Sequence, residues 1–207
     1  MVKRTKSSRR WLAEHESDPY VKAARVAGYR SRAVYKLEEI QRTDRILRPG
    51  MTVVDLGAAP GGWSQYAARL FKGEGRILAS DILPMDALAG VEFVLGDFSA
   101  DDVFATLLER LGTEKPQLVM SDMAPNMSGI VDVDNARGMY LVELSLDFAE
   151  KVLAPGGDYL VKVFQGRDFE PFLKRLRKVF GVVKVRKPKA SRSRSAELYL
   201  LARQFGM

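Results

Sequence analysis

Four acidic residues end or directly follow short apolar runs of this 207-residue chain: Asp55, Asp81, Asp97 and Asp122. The runs are rich in Val, Ile and Leu and alternate with stretches of helical spacing, which predicts parallel strands joined by helices. Because the carboxyl ends of parallel strands lie along one edge of a sheet, the four carboxylates should meet there. One such residue alone is typical of a turn, whereas four at corresponding positions indicate an acidic ligand pocket.

A glycine-rich loop at residues 56–63, with the sequence LGAAPGGW, follows the first predicted strand and leads into a helix. Small residues let a ligand approach the backbone, and the helix offers free N–H groups. The loop is not a G-x-G-x-x-G fingerprint, and Pro60 occupies the turn, which disfavours a dinucleotide pyrophosphate. An acidic pocket suits a cation such as S-adenosylmethionine instead. Asp81 would then accept from ribose hydroxyls, and Asp97, beside Phe98, from the adenine amine.

Lys162 interrupts the apolar fifth strand, which is predicted at 157–163. Lysine is rare inside buried strands, so Lys162 is either an edge residue that reaches solvent or a functional amine. Two further charged residues stand out. Glu197 is the one acidic residue in the last 34, and Lys36 lies on a helix of the basic N-terminal segment.

The elements that would position these residues alternate along the chain. Strands are predicted at 51–55, 75–80, 91–95, 117–121, 157–163, 181–187 and 195–202. Helices are predicted at 62–71, 84–88, 101–111, 135–153 and 168–179, preceded by one from the Asp18-Pro19 cap to Ala27 and one capped by Ser31. The basic connection between the last two strands is too short for a crossover helix, so this pair should be antiparallel. The pattern predicts an α/β fold with a seven-stranded, mostly parallel sheet, a C-terminal antiparallel hairpin and helices on both faces.

Positive charge is concentrated at the two ends of the chain. Residues 1–48 hold 13 Lys/Arg against 6 Asp/Glu, residues 174–207 hold 11 against 1, and the middle has a net charge of −10. Two basic ends around an acidic body favour a polyanionic partner, RNA or DNA, over merely solvated surfaces. Five basic residues are candidate phosphate contacts: Arg30, Arg32, Lys189, Arg192 and Arg194. We expect a flexible basic arm at 1–17 and one domain at 18–207, with N-terminal helices at 18–48 and an α/β core at 49–207.

Several classes of function are disfavoured by composition. The chain has no cysteine and a single histidine, His15, which argues against thiol catalysis, thiolate metal sites and a Ser-His-Asp triad. The longest uncharged run has thirteen residues, short of the roughly 20 that cross a bilayer. No apolar stretch follows the basic N-terminus, so this segment lacks the pattern of a secretory signal. We therefore expect a cytoplasmic protein that needs no metal.

Four segments together carry a family resemblance: DLGAAPGGWSQ at 55–65, SDMAPNMSG at 121–129, YLVKVFQG at 159–166 and the SRSxSxELYL pattern at 191–200. In this combination the chain resembles the FtsJ/RrmJ-type ribosomal RNA large-subunit 2′-O-ribose methyltransferases. The resemblance extends from about residue 7 to residue 204. It implies the Rossmann-like fold of S-adenosylmethionine-dependent methyltransferases.

The resemblance also implies roles for particular residues. The family's catalytic tetrad falls on Lys36, Asp122, Lys162 and Glu197, with Lys162 expected as the general base. Its cofactor contacts fall on Gly61, Trp63, Asp81, Asp97 and Asp122, although packing of Trp63 against the first helix is an equal alternative. The implied substrate is a uridine ribose in 23S ribosomal RNA within the large subunit, methylated during ribosome maturation. We expect the protein to act as a monomer.

Three other functions compete with this reading. Another methyltransferase of the same fold could act on a base, a protein or a small molecule. Base methylation would favour an Asn- or Asp-Pro-Pro-aromatic turn after the fourth strand, where this chain has Asp122-Met123-Ala124-Pro125, and a small-molecule enzyme has little need of the basic ends. A non-enzymatic RNA-binding factor has no use for a lysine inside a buried strand. A nicotinamide oxidoreductase is disfavoured by Pro60 and the missing third fingerprint glycine.

Overall fold

Seven strands form a single mixed sheet in the computed structural model, which describes residues 16–192 and 195–207. They are β1 (Thr52–Leu56), β2 (Arg76–Asp81), β3 (Val91–Leu95), β4 (Leu118–Ser121), β5 (Asp158–Phe164), β6 (Phe180–Arg186) and β7 (Glu197–Phe205). Their order is β3-β2-β1-β4-β5-β7-β6. Strands β1 to β5 pair in parallel, whereas β7 lies antiparallel between β5 and β6. The predicted α/β fold with its antiparallel C-terminal pair is confirmed.

Six helices of the described chain accompany the sheet: α1 (Pro19–Val26), α2 (Val34–Asp44), α3 (Gly62–Phe71), α4 (Asp101–Leu111), α5 (Val131–Val152) and α6 (Phe169–Val179). The predicted Asp18-Pro19 start of α1 is confirmed, because the Asp18 side chain accepts from the backbone N–H of Tyr20. Ser31 does not cap α2, which begins after Ala33 without a side-chain cap. The predicted arm at 1–17 and His15 lie outside the described residues, apart from Glu16 and Ser17.

The helix predicted at 84–88 is wrong. This segment is an irregular connection between β2 and β3. The guanidinium of Arg30 donates hydrogen bonds to two backbone carbonyls of this segment, Asp86 O at 2.7 Å and Ala87 O at 2.8 Å. These bonds come from a residue more than 50 positions away, which is why local spacing did not indicate them.

Apolar layers cover both faces of the sheet. On one face α2 and α3 pack on the central strands through residues such as Leu37 and Phe71. On the other face α4, α5 and α6 enclose a larger cluster that contains Leu107 and Phe148. The central strands β1 and β4 are buried along their whole length, as expected for parallel strands covered on both sides.

The order of strands reverses between β1 and β4, and this opens a crevice at their carboxyl ends. Gly57 lies there with a φ of +77°, and a Cβ on it would lie 2.8 Å from the backbone nitrogen of Met123. A glycine is therefore required for the two loops to approach each other. Within the described residues, no helix combines the length and apolar character that a membrane span requires.

Candidate active site

Four elements bring the predicted tetrad to the carboxyl edge of the sheet. Lys162 is on β5 and Asp122 directly follows β4, its neighbour in the sheet. Lys36 lies in the first turn of α2, and Glu197 is the first residue of β7. The register pairs Lys162 with Tyr199 on the adjacent strand, so these two side chains lie on the same face of the sheet.

The tetrad forms two ion pairs. The Lys162 amine lies 3.1 Å from Asp122 Oδ1 and also donates to the Asp122 backbone carbonyl. The Lys36 amine lies 2.8 Å from Glu197 Oε1. The Lys162 side chain is 8% exposed, so it is not an edge lysine extended into solvent. A buried amine held by a carboxylate and a carbonyl has a defined position, which proton transfer requires.

Tyr199 connects the two ion pairs and was missed by sequence reasoning. Its hydroxyl donates to Asp122 Oδ1 at 2.8 Å, and its ring centroid lies 5.6 Å from the Lys36 amine. The residue is fully buried. Strand alternation contains a signal for it, since Tyr199 follows Glu197 by two residues and must face the same side of the sheet.

Both carboxylates of the tetrad are held in their charged form. Burial favours a higher pKa for Asp122, but the charges of Lys162 and Lys36 and the Tyr199 hydrogen bond outweigh it and lower the pKa. Burial of Glu197 is likewise outweighed by the charge and hydrogen bond of Lys36, so its pKa is also lowered. Burial raises the pKa of Tyr199 far above its usual value, and the two nearby carboxylates raise it further. Tyr199 therefore remains a neutral donor.

Two predicted cofactor carboxylates lie at the ends of neighbouring strands. Asp81 ends β2, and its carboxylate accepts from the N–H groups of Ala59 at 2.9 Å and Leu83 at 2.8 Å. Asp97 follows β3 and is exposed, and the hydrogen bonds from Ser99 lower its pKa. Neither carboxylate has an ion pair in the described part of the chain. The crevice therefore presents negative charge that the surrounding residues do not neutralise.

The remaining predicted cofactor residues, Gly61 and Trp63, are tightly packed. Gly61 has a φ of +104°, and a Cβ there would lie 2.7 Å from the sulfur of Met85. The Trp63 side chain is buried, stacks at a tilt on Tyr199, and donates its indole N–H to Ala33 O at 2.9 Å. These contacts place Trp63 between the start of α2 and β7, rather than against the first helix as the packing alternative expects. Its contact with a cofactor stays a prediction.

Asp55 is buried beneath the crevice. Its side chain is fully buried; Oδ2 accepts from the Ser64 hydroxyl at 2.6 Å, and Oδ1 has no hydrogen-bond partner in the structure. Burial raises its pKa to about 7, the charges of Asp122 and Asp81 act in the same direction, and the Ser64 hydrogen bond opposes them. Of the four strand-end carboxylates, this is the one enclosed within the protein rather than facing the crevice.

The candidate phosphate contacts have different surroundings. Arg30 is committed to backbone carbonyls, and Arg32 pairs with Asp18 at 2.6 Å and donates to Ala190 O. Lys189 is exposed beside the active-site edge, and Arg192 lies 3.8 Å from Asp18. Arg194 lies outside the described residues. The β6–β7 connection is thus tied to the N-terminal helices through Asp18 and Arg32, so its residues Ala190 and Arg192 share a surface with those helices.

Known proteins resemble this chain along most of its length. The family profile described as FtsJ-like methyltransferase matches residues 29–205. The chain is 60% identical over 202 residues to ribosomal RNA large subunit methyltransferase E of Pseudomonas paraeruginosa, with 98% of each chain covered. It is 58% identical over 206 residues to the protein of the same name from Legionella pneumophila, with 100% of each covered. A solved structure of a candidate ribosomal RNA methyltransferase from Plasmodium falciparum is 30% identical, with a TM-score of 0.77, and covers 86% of this chain and 98% of its own.

Proposed function

Because the chain belongs to the FtsJ-like methyltransferase family, we propose that it methylates the 2′-hydroxyl of a ribose in large-subunit ribosomal RNA. S-adenosylmethionine is the methyl donor, and a uridine of 23S RNA in the large ribosomal subunit is the target. The observation that carries the proposal is the pair of ion-paired lysines, Lys162 with Asp122 and Lys36 with Glu197, beside the acidic crevice. The names of the two bacterial relatives support ribosomal RNA of the large subunit as the class of substrate.

The residues around the crevice fit S-adenosylmethionine. Asp81 and Asp97 are carboxylates without ion pairs to the described residues, which suits a cofactor with positive charge and two ribose hydroxyls. The backbone N–H of Gly96 donates to Asp81 O at 2.9 Å, which keeps the two acidic residues next to each other. Ile82 is 59% exposed and offers an apolar surface for the adenine ring. When bound, the cofactor supplies an electrophilic methyl group on a positively charged sulfur.

The tetrad residues orient the hydroxyl and move its proton. A lysine amine accepts a proton only in its neutral form, and Lys162 in that form takes the proton of the ribose 2′-hydroxyl. Asp122 and Tyr199 hold the Lys162 amine in place. Glu197 directs the Lys36 amine, and Lys36 hydrogen-bonds the substrate oxygen. Accurate placement of the two reacting groups supplies most of the rate enhancement.

The basic surfaces bind the RNA substrate. We assign RNA contact to residues 18–48 and to the basic β6–β7 connection, and the catalytic α/β core to residues 49–207. Lys36 of α2 is the one tetrad residue outside that core. The exposed Lys189 adds a phosphate contact near the tetrad. Such contacts contribute affinity that falls with salt rather than sequence specificity.

The test of this function follows a labelled methyl group from S-adenosylmethionine into large ribosomal subunits. A 2′-O-methyl group blocks alkaline cleavage of the adjacent phosphodiester, so the label should remain in alkali-resistant dinucleotides. Label in mononucleotides would mean base methylation, and label in protein or no label would also overturn the proposal.

Substitution of Lys162 tests the proposed base. Lys162→Ala is expected to abolish methylation and to leave cofactor binding, measured by calorimetry, unchanged. Lys178→Ala, an exposed substitution on α6, is the control for loss of a lysine and should retain full activity. Retained methylation by the Lys162 variant would remove this residue from the role.

The second ion pair should follow a ranking. Lys36→Ala is expected to reduce turnover severely, because this amine contacts the substrate. Glu197→Ala is expected to have a milder effect, because Glu197 acts through Lys36 at 2.8 Å. Single-turnover rates measure both. Equal damage from the Glu197 and Lys162 substitutions would show that the ranking is wrong.

A further inference from the structure

A basic cavity lies near the amino-terminal ends of the parallel strands, at the end of the sheet opposite the active site. Its volume is about 500 Å³, within the ~300–1,000 Å³ of ligand sites. The cavity lies between the C-terminal end of α2 and the adjoining ends of β5, β6 and β7. Its charged lining residues are Arg45, Arg48, Lys184, Arg203 and Asp158. The tetrad does not include any of them.

Positive charge in this cavity exceeds negative charge. Arg203 pairs with Asp158 at 2.9 Å, which accounts for the one lining carboxylate. Arg45 and Arg48 are exposed, and neither side chain has a hydrogen bond or an ion pair within the described residues. Two arginine guanidinium groups therefore remain available to a ligand.

Lys184 also adds to the net positive charge of the cavity. Its amine lies 3.2 Å from Asp44, a side chain that is 1% exposed. The guanidinium of Arg186 already neutralises Asp44 through two hydrogen bonds of 2.7 Å. The buried Asp44 thus fixes the position of Lys184 without cancelling the excess charge of the cavity.

The backbone around the cavity is in an uncommon conformation. Arg45 has a φ of +53° and Gln204 a φ of +65°, and these are two of the three non-glycine residues with positive φ in the described chain. Each such residue costs free energy that glycine would avoid, and positions of this kind cluster at functional sites.

The cavity and the active site lie on the same face of the sheet. Asp158 and Lys162 are four residues apart on β5, so their side chains point to the same side about 13 Å apart. Arg45, the C-cap of α2, follows Lys36 by nine positions, which is about 14 Å along the helix axis. One extended ligand that lies along α2 can therefore reach both sites.

We propose that this cavity binds phosphate groups of an RNA backbone, at a point of the substrate remote from the methylated ribose. This inference rests on the proposed function for the identity of the RNA. Guanidinium groups bind phosphates in a bidentate manner, and a net excess of three positive charges suits more than one phosphate. Among the described residues, the lining includes no aromatic side chain on which a base could stack. A backbone segment fits this lining better than a free nucleotide does.

The test compares two double variants that each lose two positive charges. In R45Q/R48Q the unpaired arginines of the cavity are neutralised. In R177Q/K178Q the changes fall on exposed residues of α6, on the other face of the sheet. Filter binding of labelled 23S RNA at 50 to 200 mM salt gives the slope of log affinity against log salt.

The cavity variant should have a shallower salt dependence than the wild type. Two lost phosphate contacts reduce the slope by about 1.4 to 1.8, so across this fourfold range of salt the wild type should lose roughly seven- to twelvefold more affinity than the variant. The α6 variant should match the wild type. An unchanged slope for R45Q/R48Q, or an equal change in both variants, would overturn the inference.

Two further measurements separate the alternatives. If R45Q/R48Q lost ATP or inorganic phosphate binding in calorimetry while its RNA slope stayed unchanged, the cavity would be a site for a small anion and the inference would be wrong.

Label transfer tests the proposed function independently. A wild type that shows the slope difference but incorporates no ribose label would overturn the proposed function and support the cavity site.

Discussion

Asp55 makes the stability of this protein depend on pH in a way that a single substitution isolates. Its carboxyl group is buried at the base of the crevice, and one oxygen accepts from Ser64 while the other has no partner in the structure. Asp55→Asn keeps the shape and leaves an amide oxygen for the Ser64 hydroxyl. The amide has no charge to bury, so its effect on stability should not vary with pH.

The magnitude follows from the pKa of Asp55, which burial raises to about 7 in the folded protein, against about 3.9 in the unfolded chain. Between these values the folded state holds a proton that the unfolded state has released. Stability therefore falls as the pH rises through this window and levels off above pH 7. From pH 5 to pH 8 the free energy of unfolding of the wild type should fall by about 3 kcal/mol because of Asp55. The Asn variant should not show this fall.

Urea unfolding at several pH values between 5 and 8, followed by tryptophan fluorescence, to which the buried Trp63 contributes, measures this difference. The unpartnered amide of the variant adds a constant cost, so the change of the difference with pH is the informative quantity. Asp101→Asn, at an exposed position in the first turn of α4, is the control and should run parallel to the wild type. Parallel curves for Asp55→Asn and the wild type would refute the reasoning.

Two further substitutions test packing and charge. Asp44→Asn removes the buried partner of Arg186 and should cost about 2–3 kcal/mol at pH 7 in urea unfolding. Hydrogen bonds from Arg186 lower the pKa of Asp44 despite its burial, so Asp44 stabilises the fold above about pH 4 and loses this effect as the pH falls further. The unfolding free energies of variant and wild type should therefore become equal in acid. Equal unfolding free energies at pH 7 would contradict this reasoning. Gly57→Ala places a methyl group against Met123 at a positive φ and should cost about 2–4 kcal/mol. Gly50→Ala, at a similar φ with no atom within 4 Å, should cost only about 1 kcal/mol, and equal melting temperatures of the two alanine variants would exclude the contact with Met123.

Secondary structure was predictable where local pattern and final environment agree. The helix bounds at 62–71 and 101–111 match the predicted ones, and each strand lies within three residues of its predicted bounds. Helix α5 begins four residues before its predicted start. There the Asp134 side chain accepts from the N–H groups of Ser128 and Gly129, a local network that apolar periodicity does not report.

The candidate site was predictable as a set of residues but not as an arrangement. Lys162, Asp122 and Glu197 stood out as charged residues in apolar or basic surroundings. Their pairing depends on the strand order, because β7 enters between β5 and β6 and brings Glu197 and Tyr199 beside Lys162. No local pattern specifies that insertion.

The amino-acid sequence by itself determined the alternation of strands and helices, the acidic residues at the strand ends and the basic charge at both ends of the chain. These features arise from the order of residues over a few turns or strand lengths, where periodicity and charge act directly. Only the tertiary structure decided which lysine pairs with which carboxylate and that Asp55 is enclosed and Asp81 is not. It also decided that Arg45 and Arg48 line a cavity without an ion pair to any described residue. Burial and ion pairing depend on residues far apart in the chain, and they exist only once the sheet has assembled.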